Sequence, residues 1–103
     1  MAQWVRLCSR AEAPQPGMVA EVEGGGKVFC LANLDGELHA LNNVCPHRGG
    51  PLGQGWLEGD SVVCPWHAWS FSLRTGVATQ GGKQQVRVYP VKVENEEVVV
   101  ELG

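Results

Sequence analysis

Two short segments constrain this chain more than anything else in it. They are Cys45-Pro-His47 and Cys64-Pro-Trp-His67, with sixteen residues between His47 and Cys64. Each offers one thiol and one imidazole within four residues. Pro46 and Pro65 stiffen the backbone beside each cysteine and remove a backbone donor there, so both segments read as loops. Gly49, Gly50, Gly53 and Gly55 follow the first pair, and glycine lets a chain turn tightly and approach closely. Two sulfur and two nitrogen donors on matched loops form a metal-ligand set. Zinc accepts mixed sulfur and nitrogen in closed tetrahedral sites, but its usual patterns pair Cys with Cys and His with His, whereas each pair here is mixed. A four-thiolate iron site would also need Cys8 and Cys30. Those two lie inside apolar, strand-like runs and read as reduced core thiols, because a buried free cysteine behaves as a small hydrophobe.

The frame for these loops reads as all-β. Short apolar or alternating runs recur at Val5 to Cys8, Met18 to Glu23, Lys27 to Asn33, Leu38 to Asn42, Trp56 to Glu58 and Ser61 to Cys64. They continue at Trp69 to Leu73, Val86 to Glu94 and Val98 to Leu102. Gly24-Gly-Gly26, Asp35-Gly36, Gly59-Asp60 and Glu94-Asn95-Glu96 separate them as turns, Asp-Gly being a strong hairpin signal. Many short strands with glycine-rich turns imply an antiparallel sandwich or barrel. At 103 residues the chain makes one domain, spanning 1–103. A chain of this size buries roughly 65% of its unfolded surface, enough for one core and little more. Its net charge of −3 offers no basic patch for nucleic acid. No run approaches the ~20 apolar residues of a membrane span. The start, Met-Ala-Gln-Trp, lacks a signal peptide's basic region and apolar run, so a cytoplasmic location is expected.

Cys45-Pro-His-Arg-Gly-Gly-Pro-Leu52 and Cys64-Pro-Trp-His-Ala-Trp-Ser-Phe71 resemble the two cluster loops of Rieske ferredoxins. Arg74-Thr-Gly76 resembles the turn after the second loop. The resemblance implies an antiparallel β-sandwich with an inserted cluster-binding subdomain, built on loops at about 43–55 and 62–72. It implies one [2Fe-2S] cluster per chain, with Cys45 and Cys64 on one iron and His47 and His67 on the other. The chain is similar to the small ferredoxins that pass single electrons from a flavin-dependent reductase to a ring-hydroxylating oxygenase, and would be a monomer when free. It is also similar to the small subunit of NAD(P)H-dependent nitrite reductases, which works bound to a large subunit. A non-redox metal-binding module is a third reading.

The same resemblance sets an expected potential. High-potential Rieske proteins clasp their loops with a disulfide at the positions held here by Gly50 and Trp66. They also carry a Ser and a Tyr whose hydroxyls bond cluster sulfurs, where this chain has Trp69 and Phe71. Fewer such bonds leave the reduced cluster less stabilised, which places this centre near the low end of the range, about −150 mV. Ser70 stands one position away from the missing serine and could supply a replacement bond. The ligand imidazoles are expected to lose a proton only well above neutrality, so that at pH 7 an electron moves alone. Arg48 and Trp66 would flank the exposed histidine edge and are the candidate docking residues, with Trp66 either a docking aromatic or a shield. A loop at Gly81-Gly82-Lys83 would complete that edge, without the proline usual there. His39 reads as an ordinary, partly exposed histidine.

Catalysis by the chain itself is not expected. A mononuclear iron site on two histidines and a carboxylate cannot be built from three histidines, two of which are spent on the cluster. Gly24-Gly-Gly26 lies between strands and not before a helix, so it is a turn and not a nucleotide loop.

Overall fold

The computed structural model describes residues 3–46, 49–66, 68–80 and 84–102. Among them, eleven strands run in chain order: β1 (Trp4–Ser9), β2 (Val19–Gly24), β3 (Lys27–Leu34), β4 (Glu37–Asn42), β5 (Trp56–Glu58) and β6 (Ser61–Val63). They continue with β7 (Ser70–Ser72), β8 (Ala78–Gln80), β9 (Val88–Tyr89), β10 (Val91–Glu94) and β11 (Glu97–Glu101). Short 3-10 turns occupy Arg10–Glu12 and Leu52–Gln54. The strands form three antiparallel sheets, ordered β1-β11-β10, β2-β3-β4-β9 and β5-β6-β7-β8.

The middle sheet is buried on both faces along Phe29–Ala32, which explains the unbroken apolar run there, while Val28 before it is exposed. Successive side chains on a strand point to opposite faces. Phe29, Leu31 and Ala40 therefore meet Leu7, Val98, Val100 and Tyr89 on one side, and Phe29 and Tyr89 pack edge to face at 5.0 Å. Cys30, Ala32 and Leu41 face the other way, onto Leu52, Val62, Phe71, Leu73 and Val86. Each large apolar side chain fully buried this way contributes about 1.5–3 kcal/mol. Three layers result, with the β5-β6-β7-β8 sheet as the outer one.

That outer sheet is an insertion. The chain leaves the middle sheet at the end of β4 and returns beside it, with Ala40 opposite Tyr89 and Leu41 opposite Val88. Everything between belongs to the site: the first loop joins β4 to β5, and the second joins β6 to β7. The expected sandwich with an inserted loop-bearing subdomain is therefore the observed one. Two details differ from the sequence reading. The run from Val86 to Glu94 is not one strand, because Pro90 divides it. Before the proline, β9 pairs with β4; after it, β10 pairs with β11 in another sheet. Proline cannot donate to a ladder, so it sits where the chain changes sheets. The strand β8 was not foreseen, since Ala-Thr-Gln carries little apolar pattern. The turns behave as expected: Gly25 and Gly26, Asp35 and Gly36, and Asn95 and Glu96 have positive φ in pairs, as tight primed hairpins require.

Candidate metal centre

The two cysteine loops close with the same backbone bonds. The Cys45 carbonyl accepts from Gly49 N–H at 2.8 Å, and the Cys45 N–H donates to the Gly50 carbonyl at 2.8 Å. The Cys64 carbonyl accepts from Ala68 N–H at 3.0 Å, and the Cys64 N–H donates to the Trp69 carbonyl at 2.7 Å. In both loops the cysteine thus bonds the residues four and five places on. In both, the residue four places on is left-handed: Gly49 has φ 78° and Ala68 has φ 57°. Both cysteines are buried, at 2% and 1% exposure, in the same apolar cluster.

Gly50 locks the loops together. It accepts the Cys45 N–H, and a Cβ placed on it would lie 2.7 Å from Cys64 Sγ and 3.1 Å from Trp66 Cγ. No side chain fits there, so the backbone of the first loop lies directly against the thiol of the second. Trp66 covers this contact while remaining 58% exposed. It shields the Cys64 side and still presents an indole to solvent, so both readings of Trp66 are compatible with its placement. Val44, next to Cys45, is also exposed.

The surroundings suit two thiolates. Residues 43–55 and 62–72 contain no Asp or Glu. Among the described residues no group of three or more His, Cys, Asp or Glu could hold a metal, which leaves a four-thiolate or carboxylate-rich site without donors. Cys8 and Cys30 sit in separate core clusters, and neither is in a disulfide. Burial pushes the Cys30 thiol up to about 12, so it stays protonated and inert, as read from the sequence. His39 lies on β4, with Nε2 2.8 Å from Glu37 Oε1 but out of line for a hydrogen bond. The donors present therefore fit an iron–sulfur group that takes two sulfurs from Cys45 and Cys64. His47, His67, Arg48 and the Gly81-Gly82-Lys83 loop lie outside the described residues.

Two features escaped the sequence reading. The first is a hydroxyl pair behind the second loop: Ser70 is buried, and its Oγ lies 2.7 Å from Thr79 Oγ1 across to β8. The second is a polar knot at the neck of the first loop. Asn43, only 6% exposed, accepts from Gly53 N–H on Oδ1 at 2.7 Å and donates from Nδ2 to Glu21 Oε2 at 2.6 Å. Glu21 Oε1 accepts from Gln54 Nε2 at 2.8 Å. The bonds from Gln54 and then Asn43 hold the Glu21 carboxyl below its ordinary range. The only sequence signal was an asparagine just after a strand, two residues before Cys45.

The sequence profile of the Rieske [2Fe-2S] domain matches residues 3–90. The ferredoxin component of a naphthalene 1,2-dioxygenase system from Pseudomonas aeruginosa is 34% identical over 102 residues, covering 98% of this chain and 97% of that protein. Among solved structures, the Sphingomonas yanoikuyae B1 ferredoxin superposes with a TM-score of 0.88 at 28% identity, covering 98% and 100% of the two chains. A Mycobacterium tuberculosis chain described as the small subunit of an NADH-dependent nitrite reductase superposes with a TM-score of 0.89 at 25% identity, covering 100% and 97%. Among the described residues no helix is long and apolar enough to cross a membrane. With its interlocked cysteine loops on a three-sheet frame, the chain belongs to the Rieske [2Fe-2S] domain family.

Proposed function

We propose that this chain is the ferredoxin of an oxygenase system, a cytoplasmic monomer that carries single electrons from a flavin-dependent reductase to a terminal oxygenase. The observation that carries this reading is the pair of matched loops, each presenting a buried cysteine and locked to the other at Gly50. Cys45, His47, Cys64 and His67 are the proposed ligands. A cluster held there supplies a one-electron couple. The chain's own residues do the rest. The loops fix the thiols with backbone bonds, Gly50 and Trp66 cover the Cys64 side, and the apolar cluster keeps water from the sulfur end. Exposed Trp66 and Val44 are proposed as the surface on which a partner docks, because aromatic side chains favour interfaces, with Arg48 as a further docking candidate.

The hydroxyl inventory supports a low potential. Phe71 is buried without a hydroxyl, and the Ser70 hydroxyl is hydrogen-bonded to Thr79. A midpoint below 0 mV at pH 7, near the low end at about −150 mV, is expected from voltammetry. A value above about +150 mV would contradict it.

The relatives also support a second reading, a nitrite reductase small subunit bound to its large subunit. Purification from native extract separates the two. The ferredoxin reading expects a red-brown monomer with two irons and two labile sulfides that turns over with a flavin reductase and an oxygenase. A stable complex with a large sirohaem-containing chain would overturn it and leave the ligand assignment standing. A colourless protein with stoichiometric zinc would overturn both.

A further inference from the structure

We infer that Asn43 and Glu21 are positioning residues for the Cys45 loop, a hydrogen-bonded clamp at its neck that sets how firmly the first thiolate is held. The inference rests on the cluster reading above.

The first loop leaves the middle sheet at Asn43 and rejoins the frame at Leu52–Gln54, so its two ends must be tied. Asn43 ties them. Its backbone N–H donates to the Val28 carbonyl on β3, and its carbonyl accepts from Leu52 N–H at 2.8 Å. Its side chain accepts from the Gly53 N–H on one side and donates a hydrogen bond to Glu21 on the other. A Cβ on Gly53 would fall 2.6 Å from Glu21 Cγ and 2.8 Å from Asn43 Oδ1, so the neck is closed too tightly for any side chain there. Glu21 completes the clamp from β2 by accepting from both Asn43 and Gln54. The chemistry is directional. Position 43 must accept from a backbone N–H and donate to a carboxylate at once, which an amide does and a carboxylate cannot. Because Asn43 is buried, an unmatched polar atom here is expensive.

The direction of the bonds gives the test. Asn43→Asp removes the donor and sets a carboxylate against Glu21. Glu21→Gln removes the acceptor for either the Asn43 or the Gln54 amide. The double variant, carrying both substitutions, reverses the exchange. The new amide at position 21 donates to the new carboxylate at position 43. That carboxylate still accepts from Gly53, and the amide oxygen at position 21 still accepts from Gln54. The readouts are cluster loss under a chelator, followed by the visible spectrum of the holoprotein, together with amide exchange of the 43–55 peptide and the midpoint potential. Asn43→Asp should lose its cluster at least tenfold faster, the scale on which disturbing a ligand's supporting partners acts. Its 43–55 peptide should exchange faster, while the peptides of β1 and β11 keep their protection. Glu21→Gln should shift the midpoint upward, because a negative charge at the neck of the Cys45 loop is removed. The double variant should recover cluster retention and protection to within about threefold of the parent, since it restores every bond. A double variant no better than Asn43→Asp would overturn the clamp, as would an Asn43→Asp protein that holds its cluster like the parent. If the purified parent carries no cluster, the proposed function fails, while exchange of the 43–55 peptide still decides whether the clamp exists.

Discussion

The Cys45 loop and the Cys64 loop share their backbone bonds and differ in what holds them. The second hangs between β6 and β7, two strands already paired through Val62 and Phe71 and through Val63 and Ser70. Its support is the sheet itself, backed by the Ser70–Thr79 hydroxyl bond. The first joins two different sheets and, among the described residues, has only the Val44–Pro51 bridge as a ladder. Its support is side-chain chemistry, the Asn43–Glu21 clamp, and glycines that allow close approach. One local geometry is thus reached by two routes. A loop inside a hairpin inherits its register, whereas a loop between sheets needs dedicated polar ties.

Replacing a ligand should have the largest effect and should not distinguish the loops. Cys45→Ser or Cys64→Ser exchanges a soft thiolate for a hard, poorly ionised hydroxyl and should abolish assembly, read as loss of colour and of iron. His47→Cys or His67→Cys should leave an altered cluster of lower potential, since a thiolate adds negative charge. His39→Ala should leave the spectrum unchanged, and bleaching by that variant would break the ligand assignment.

Next in size is the contact that joins the loops. Gly50→Ala places a methyl 2.7 Å from Cys64 Sγ. Overpacking of this kind costs about 1–3 kcal/mol, and here it displaces the sulfur of a proposed ligand as well. The expected result is a folded protein with partial cluster occupancy and a changed visible spectrum. Normal occupancy and an unchanged spectrum would mean the loops are not locked at this point.

A smaller effect should have opposite signs in the two loops. Gly49 and Ala68 occupy equivalent left-handed positions, and a Cβ at Gly49 meets nothing within 4 Å. Backbone conformation alone therefore decides. The left-handed region costs a residue with a Cβ about 1–2 kcal/mol, partly offset by the roughly 0.4–1 kcal/mol of extra unfolded-state freedom that glycine carries. Gly49→Ala should destabilise by about 1 kcal/mol, and Ala68→Gly should stabilise by a similar amount. Paired melting curves of the holoproteins check both. Equal signs would show that the loops are not equivalent in backbone conformation.

The polar ties of the first loop were harder to read from the sequence than the hairpin of the second. Cys, Pro and His at fixed spacing mark both cysteine loops, with glycines following in the first, because a mixed sulfur and nitrogen metal site would demand those donors, and alternating apolar runs mark the strands that carry them. Pro90 was visible, but its meaning was not, since the apolar run continues through it while the partner sheet changes. Ser70 and Thr79, 9 positions apart, meet only because β7 pairs with β8. Asn43 and Glu21 are 22 positions apart, joined by the return of the first loop to β2. Such polar ties have no period and no motif. They become legible only when topology brings the partners together.

The last and smallest prediction uses pH to separate the two supports. Glu21 has a folded pKa below its unfolded value, so its contribution is fully present above the ordinary glutamate range, about 4.3, and is lost as pH falls through the lower folded value. Residues 62–72 contain no Asp, Glu, Lys or Arg, and the hydroxyl bond behind that loop is neutral. Between pH 7 and pH 5 the two loops should keep their relative protection against amide exchange. Below about pH 4 the 43–55 peptide should open first, while the 62–72 peptide follows only with the loss of the cluster. Glu21→Gln removes the titrating group, so in that variant the protection of the 43–55 peptide, already weakened by the lost bond, should no longer fall relative to the 62–72 peptide as the pH drops. Persistence of that acid dependence in Glu21→Gln would place the acid sensitivity of the first loop elsewhere than at its neck.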